Sequence, residues 1–203
     1  MDEKCKMYEL EDSEENDATY WAGEFFKKKE NTFLARIDDS FIEDSFNLVG
    51  LNKKVDNLKK SYNAIIDKTK SQDYIEESCL YYLLHQRYIY SMSGLEAILE
   101  KVMNKEYGTC SRLGCSAKLI PVGESNEPRV SPTRLFCHVC SCLYMPKGPI
   151  KALDGCAWGT SFPMFLIITF PYKFKQKNNT PYVPRLFGFR VCPQDNFDSL
   201  EDE

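Results

Sequence analysis

The apolar positions of this chain change their period near residue 108. Before it they recur at helical steps. Leu51, Val55, Leu58, Tyr62 and Ile65 follow one another at intervals of four, three, four and three, with lysines opposite. That spacing lays one apolar stripe along a helix opened by Asn52. Ser71 opens the next helix, SQDYIEESCLYYLLHQRYIY, with Ile75, Cys79, Leu80, Leu83 and Leu84 on its buried face. Gly94 begins GLEAILEKVMNK, with Leu95, Ile98, Leu99 and Met103 in register. Upstream, residues 16–28 (NDATYWAGEFFKK) offer an N-cap and an aromatic face, and Asp38-Asp39-Ser40 caps a short helix, FIEDSF. Several helices on short connections make a compact α-helical domain, residues 18–107.

From Gly108 onward, prolines and glycines punctuate short branched or aromatic runs: KLIPVG, RLF, LYMP, MFLIITF and PYVPRLFGFRV. Those are strand and turn signals, and they define a second region, residues 108–193. The expected fold class is therefore α+β, helices first and a small antiparallel sheet after them. The longest apolar run, FPMFLIITF at 162–170, is too short to cross a bilayer and suits a buried strand. No membrane association is expected.

Composition sharpens this picture in two ways. Hydrophobic residues make up 43% of the 203 and aromatics 13%, so the chain can build real cores. The start, MDEKCKMYELEDSEEND, lacks a basic segment followed by an apolar run, so no secretory signal is expected. The net charge of −4 hides an asymmetry. Residues 1–17 carry eight acidic and two basic groups, and 195–203 carry five acidic groups and no basic one, leaving +7 on the body between. The plain reading of the tails (1–17 and 194–203) is solubilisation. The sharper one is that they shield, or compete for, a basic docking surface.

Nine cysteines, an odd number in a chain with no secretion signal, do not read as a disulfide framework. Four of them have metal-ligand spacing. Cys110 and Cys115 form C-x4-C in YGTCSRLGC; after 21 residues, Cys137 and Cys140 form C-x2-C in LFCHVC. Two tight turns, each presenting two thiolates, complete a tetrahedron, and zinc accepts an all-sulfur shell in a reducing compartment. Such a site has no open position for substrate, so its role is structural. His138 and Cys142 lie at spacings that would strain the turn and are read as spares. Cys79, on an apolar helical face, reads as core.

Catalytic signals are missing. Only His85 and His138 are histidines, and His85 in LLHQRY reads as a packing residue. No G-x-S-x-G, Walker loop or G-x-G-x-x-G appears. A binding or scaffolding protein is favoured.

Taken together, several stretches resemble the regulatory beta subunit of casein kinase II: DDSFIEDSFNLVGLN (38–52), LLHQRYI (83–89), GLEAILEKV (94–102), the cysteine frame, DGCAWGTSFP (154–163) and VPRLFGFRVCP (183–193), in family order across about residues 20–193. The resemblance implies a non-catalytic protein, an α-helical domain followed by a zinc-ribbon-like one, at work in cytoplasm and nucleus. It implies one zinc on Cys110, Cys115, Cys137 and Cys140, and a homodimer built on that domain. The residues agree independently: Leu113 in the first turn and Leu143 after the second would be free to bury in a twofold interface, the plainer reading being that they pack inside their own domain. It implies docking of the catalytic alpha subunit, two alpha with two beta, through Leu186, Phe187, Gly188, Phe189, Arg190 and Val191. The consequence would be altered kinase stability and altered choice among protein substrates. Read alone, VPRLFGFRV would be a plain buried hairpin. The chain departs from the family pattern at three places. Phe187 replaces a tyrosine, a short mixed segment DKTKSQD (67–73) replaces an acidic loop, and the amino-terminal serine cluster is missing. Ser199, with acidic residues two, three and four positions after it, and less so Ser13, are candidate phosphorylation sites. A zinc-ribbon nucleic-acid binder is disfavoured, because the lysines are spread over both halves and the acidic tails oppose binding. A redox or metal-transfer protein would need an exposed labile thiol pair.

Overall fold

The computed structural model describes residues 20–174 and 183–191. Six α-helices appear among them: α1 (Trp21–Lys27), α2 (Asp39–Glu43), α3 (Leu58–Ile65), α4 (Tyr74–Tyr88), α5 (Met92–Met103) and α6 (Phe162–Thr169). Strands β1 (Ile120–Val122), β2 (Arg134–Cys137) and β3 (Cys142–Tyr144) form an antiparallel sheet in that order, and β4 (Arg185–Leu186) and β5 (Phe189–Arg190) form a separate hairpin. The fold is α+β. No helix among the described residues is long and apolar enough to cross a membrane.

Helix α4 is the axis of the helical half. Its Asp73 cap accepts from the N–H groups of Ile75 and Glu76, satisfying two donors that the first turn leaves free. Cys79, Leu80, Leu83 and Leu84 are buried as their spacing predicts. Ile75 is not, being 70% exposed. Ser71 does not start the helix; its hydroxyl instead donates to the buried Glu77 carboxylate. Glu77 also accepts from Trp21 Nε1 at 2.7 Å and from the N–H groups of Gln72 and Asp73. Burial alone would raise its pKa; these hydrogen bonds outweigh burial and hold the carboxyl below its usual range.

Three expectations about elements need correction. The stripe from Leu51 to Ile65 is not one helix. A 3₁₀ turn at Leu51–Lys53 precedes α3, and between them Asn57 sits at φ 53°. Asparagine tolerates the left-handed region and resets the helical phase, while Leu51, Val55 and Ile65 still reach the core. Helix α5 starts at Met92 with Ser91 as its cap, two residues before Gly94. Gly94 serves close packing: a Cβ there would lie 2.2 Å from the Tyr88 carbonyl oxygen. Lastly, FPMFLIITF forms α6 and not a strand. A short run apolar on every side carries no period, and Pro163 in the first turn has the φ that a helix start requires. Asn16 lies outside the described residues.

The hydrophobic core continues across residue 108, taking in Phe25, Leu84 and Ile98 from the helices and Leu119, Ile120, Trp158 and Phe162 beyond. His85 ties these parts together. Its Nε2 accepts from the Ala35 N–H at 3.0 Å, so Nδ1 carries the proton and donates to the Ala157 carbonyl at 2.8 Å. Two residues along the same extended segment, the Ile37 N–H donates to the Tyr81 hydroxyl. Side chains of α4 thus take the place of a sheet partner for residues 34–37.

Burial, with a smaller contribution from the charge of Lys101, pulls the His85 pKa down to about 4 against the Ala157 hydrogen bond. The unfolded value is near 6.5, so the unfolded chain binds the extra proton between the two. This stabilisation is complete above the unfolded value and is lost as pH falls toward 4. It amounts to about 3 kcal/mol at most. Urea unfolding at pH 7 and pH 4.5 should show native stability falling with acid. His85→Phe should be less stable at pH 7 and show a fall smaller by at least 1.5 kcal/mol, roughly half of that contribution. Equal falls in both proteins would remove His85 from the account.

Candidate metal centre and exposed hairpin

Two turns build the cysteine cluster. In the first, the Cys110 N–H donates to Ala117 O, and the Leu119 N–H returns to Gly108 O. The ends of the segment are thereby pinned while residues 111–114 turn back, with Gly114 at φ 80°. In the second, β2 and β3 pair with Cys137 opposite Cys142, and Ser141 at φ 53° closes the turn. These turns bring the sulfurs of Cys110, Cys115, Cys137 and Cys140 within 4.8 Å of one another.

The spacing fits a metal and not a disulfide. Cys110 and Cys140 sulfurs are 3.8 Å apart, and those of Cys115 and Cys137 are 3.7 Å apart. A disulfide needs about 2.05 Å. A zinc ion bonded at about 2.3 Å to four sulfurs sets tetrahedral edges of about 3.8 Å. Backbone N–H groups also point at sulfur: Arg112 to Cys110, Ala117 to Cys115, and Val139 and Cys140 to Cys137. The Cys110 thiol donates to the Tyr144 hydroxyl at 3.2 Å, a contact in which the hydroxyl would become the donor to a metal-bound thiolate, and the Arg112 guanidinium donates to Cys140. Such donors orient thiolates and offset the negative charge they would bring to a divalent ion.

Burial raises the Cys110 thiol, but the Tyr144 and Arg112 hydrogen bonds and the neighbouring thiols bring it down to about 7. Burial pushes Cys137 up to about 12, a shift that a cation bound to its sulfur would reverse. The four residues fit a structural zinc ion, which would tie the two turns together.

Neither nearby candidate joins the cluster. Cys142 donates its thiol to the Cys140 carbonyl. His138 lies edge-on to Phe174 with ring centres 5.4 Å apart. Leu113, in the first turn, and Leu143, on β3, are 68% and 52% exposed.

At the other end of the region, Leu186 pairs with Phe189 across a two-residue turn, Phe187-Gly188, at φ 49° and 89°. Both residues lie in the left-handed region, as a type I′ hairpin turn requires. Glycine is at home there; phenylalanine is not, at a cost of about 1–2 kcal/mol. Further bonds hold the shape, from the Val191 N–H to Pro184 O and from the Arg185 guanidinium to Gly188 O. Phe187 is 93% exposed, Phe189 79%, and Leu186, Gly188, Arg190 and Val191 are exposed beside them.

The sequence profile of the casein kinase II regulatory subunit matches residues 20–190. The chain belongs to the casein kinase II regulatory subunit family. Casein kinase II subunit beta of Schizosaccharomyces pombe is 37% identical over 196 residues, 92% of this chain and 84% of its own length. Casein kinase II subunit beta' of Drosophila melanogaster is 33% identical over 195 residues, 91% of this chain and 88% of its own. A putative casein kinase II subunit beta-4 of Arabidopsis thaliana is 34% identical over 190 residues, 87% and 67%.

Within this casein kinase II regulatory subunit, Ser13 and Ser199 lie outside the described residues. Sequence reasoning overlooked Arg112 and Tyr144 as partners of the sulfurs, although their places inside the first turn and just after the second were a usable signal. It also missed the outer face of α6, where Met164, Phe165 and Ile168 are exposed. The absence of any charged residue from 162 to 170 was the clue.

Native mass spectrometry should find one zinc per chain. Cys137→Ala should lose it, while Cys142→Ala and His138→Ala should keep it. Zinc retained by the Cys137 variant would refute the ligand set.

Proposed function

We propose that this chain is a non-catalytic subunit that dimerises through its four-cysteine region and docks a catalytic kinase subunit on the hairpin at 186–191. The observation that carries the docking is the pair of exposed rings, Phe187 and Phe189, held on a strained two-residue turn. An isolated apolar hairpin in water gains nothing from that display. A partner that buries both rings gains much, since buried aromatic anchors dominate many interfaces. Family membership gives that partner a chemistry, the alpha subunit, and the proposed assembly is two alpha with two beta. Leu113 and Leu143, exposed on turn and strand around the cluster, suit a twofold interface whose shape one zinc ion per chain would hold. The sequence has neither an H-R-D loop nor a D-F-G metal ligand, so phosphotransfer belongs to the partner. The subunit's effect would fall on the kinase's stability and its choice of protein substrates.

Truncating an anchor commonly costs ~2 kcal/mol or more, roughly thirtyfold in affinity. Phe187→Ala and Phe189→Ala should each weaken binding of the alpha subunit by that factor in titration calorimetry, with the homodimer intact by sizing. Unchanged affinity in both would refute the docking assignment, and dissociated dimers would make the rings dimer contacts. With peptides of the two tails as substrates, the kinase should phosphorylate Ser199 faster than Ser13, since only Ser199 has an acidic residue at the third following position. The reverse order would count against the assembly's proposed tail chemistry.

A further inference from the structure

Away from the cluster and the hairpin, a cleft of about 890 Å³ opens between α1 and the loop joining α3 to α4. Its lining includes Tyr20, Trp21, Lys28, Lys68, Lys70 and Tyr74. The two carboxylates at its edge are already engaged. Glu24 pairs with Lys27 at 2.6 Å, and Asp67 accepts the Trp21 N–H at 2.7 Å. The three lysines are different. Lys28, Lys68 and Lys70 are exposed. Among the described residues no carboxylate pairs with any of them; the Lys28 ammonium lies over the Tyr74 ring, 3.8 Å from its centre. The cleft is thus a concave surface whose cations are unmatched and whose anions are spoken for.

Tyr20 is both a wall of this cleft and the residue at which the described chain begins. The residues just before it are the most acidic stretch of the protein, net −6 over 1–17, with EDSEEND at 11–17. A segment tethered at the mouth of its own binding surface meets it at an effective concentration on the order of millimolar, so even weak charge pairing is enough to fill the cleft. We propose that the acidic segment at 11–17 docks in this cleft, pairing with Lys28, Lys68 and Lys70. It would act as a built-in competitor that an acidic partner must displace. The loop chemistry supports this direction: DKTKSQD supplies two of the three lysines, and its Asp67 is engaged by the Trp21 N–H.

The pairing is between solvent-exposed charges, so it should weaken as salt shortens the Debye length from about 30 Å at 0.01 M to about 8 Å at 0.15 M. The test uses the full chain and a labelled peptide of residues 8–17, YELEDSEEND, followed by fluorescence anisotropy at 10 and 150 mM salt. Three proteins are compared: the native chain, a tail-neutralised chain (Glu11→Gln, Asp12→Asn, Glu14→Gln, Glu15→Gln and Asp17→Asn), and that chain with Lys28→Gln, Lys68→Gln and Lys70→Gln added. All changed side chains described in the structure are exposed, and circular dichroism with a thermal melt verifies that each variant folds. The peptide should bind the tail-neutralised chain at least fivefold more tightly than the native chain, lose most of that binding when the lysines are removed, and bind less well at the higher salt. Equal binding to the native and tail-neutralised chains would show that the tail does not occupy the cleft. Binding that survives removal of the lysines, or no binding to the neutralised chain at either salt, would overturn the cleft as an anionic site.

Discussion

The arrangement of both halves depends on one buried imidazole. His85 has one donor and one acceptor when neutral, and each has one backbone partner, the Ala157 carbonyl and the Ala35 N–H. A buried polar group left without a partner costs about 1–3 kcal/mol; here both ring nitrogens are satisfied. The contact extends outward. Trp158 stands edge-on to the imidazole at 5.1 Å and to Tyr107 at 5.8 Å, and its indole N–H donates to the Thr133 hydroxyl at 3.1 Å. Thr133 donates in turn to Leu153 O and directly precedes β2. A line of packed rings and hydrogen bonds therefore runs from the centre of α4 to the strand that ends in Cys137.

That line matters because the sheet has little means of its own. Strands of three and four residues bury too little among themselves to hold together independently in water. At one end β1 and β2 bury Ile120 and Val122 on one face and Leu135 on the other. At the other end, the structure gathers four sulfurs within 4.8 Å of one another. The helical core fixes one end of the small sheet and the sulfur cluster the other. A side chain such as Leu143 on β3 can then stay exposed without loosening the strand that carries it.

What could be read from the sequence was whatever depends on chain-local spacing. The four cysteines were legible because a turn of four or two residues determines by itself where two sulfurs point. Cys79, Leu80, Leu83 and Leu84 were legible because helical steps select one face. Where the chain makes its own exception, local reading failed. Asn57 turns left-handed in the middle of a regular stripe, and FPMFLIITF has no charged residue to mark its period. Distant partners were not legible at all. That Glu77 would face Trp21 across 56 positions, or that His85 would meet Ala157 across 72, follows only from the packed fold. Cys142 and His138 show the same limit at short range. Strand pairing sets Cys142 across from Cys137 yet turns its thiol to the Cys140 carbonyl, and His138 goes to Phe174.

The hairpin at 185–190 inverts the logic of the interior. Inside, each polar atom of His85 and Glu77 is matched, and the order of those groups follows from the match. At the tip, Phe187 occupies a backbone conformation suited to asparagine or glycine and is 93% exposed. An asparagine would relieve the backbone and present no ring. A type I′ turn places its two central residues beyond the last pair of strand residues, where no neighbour in the chain covers them. Strain of this kind clusters at functional sites, in keeping with the docking proposed for this tip. The bonds from Val191 and Arg185 back across the hairpin hold the strained turn ready, so a partner closing over the two rings would not have to order the turn first.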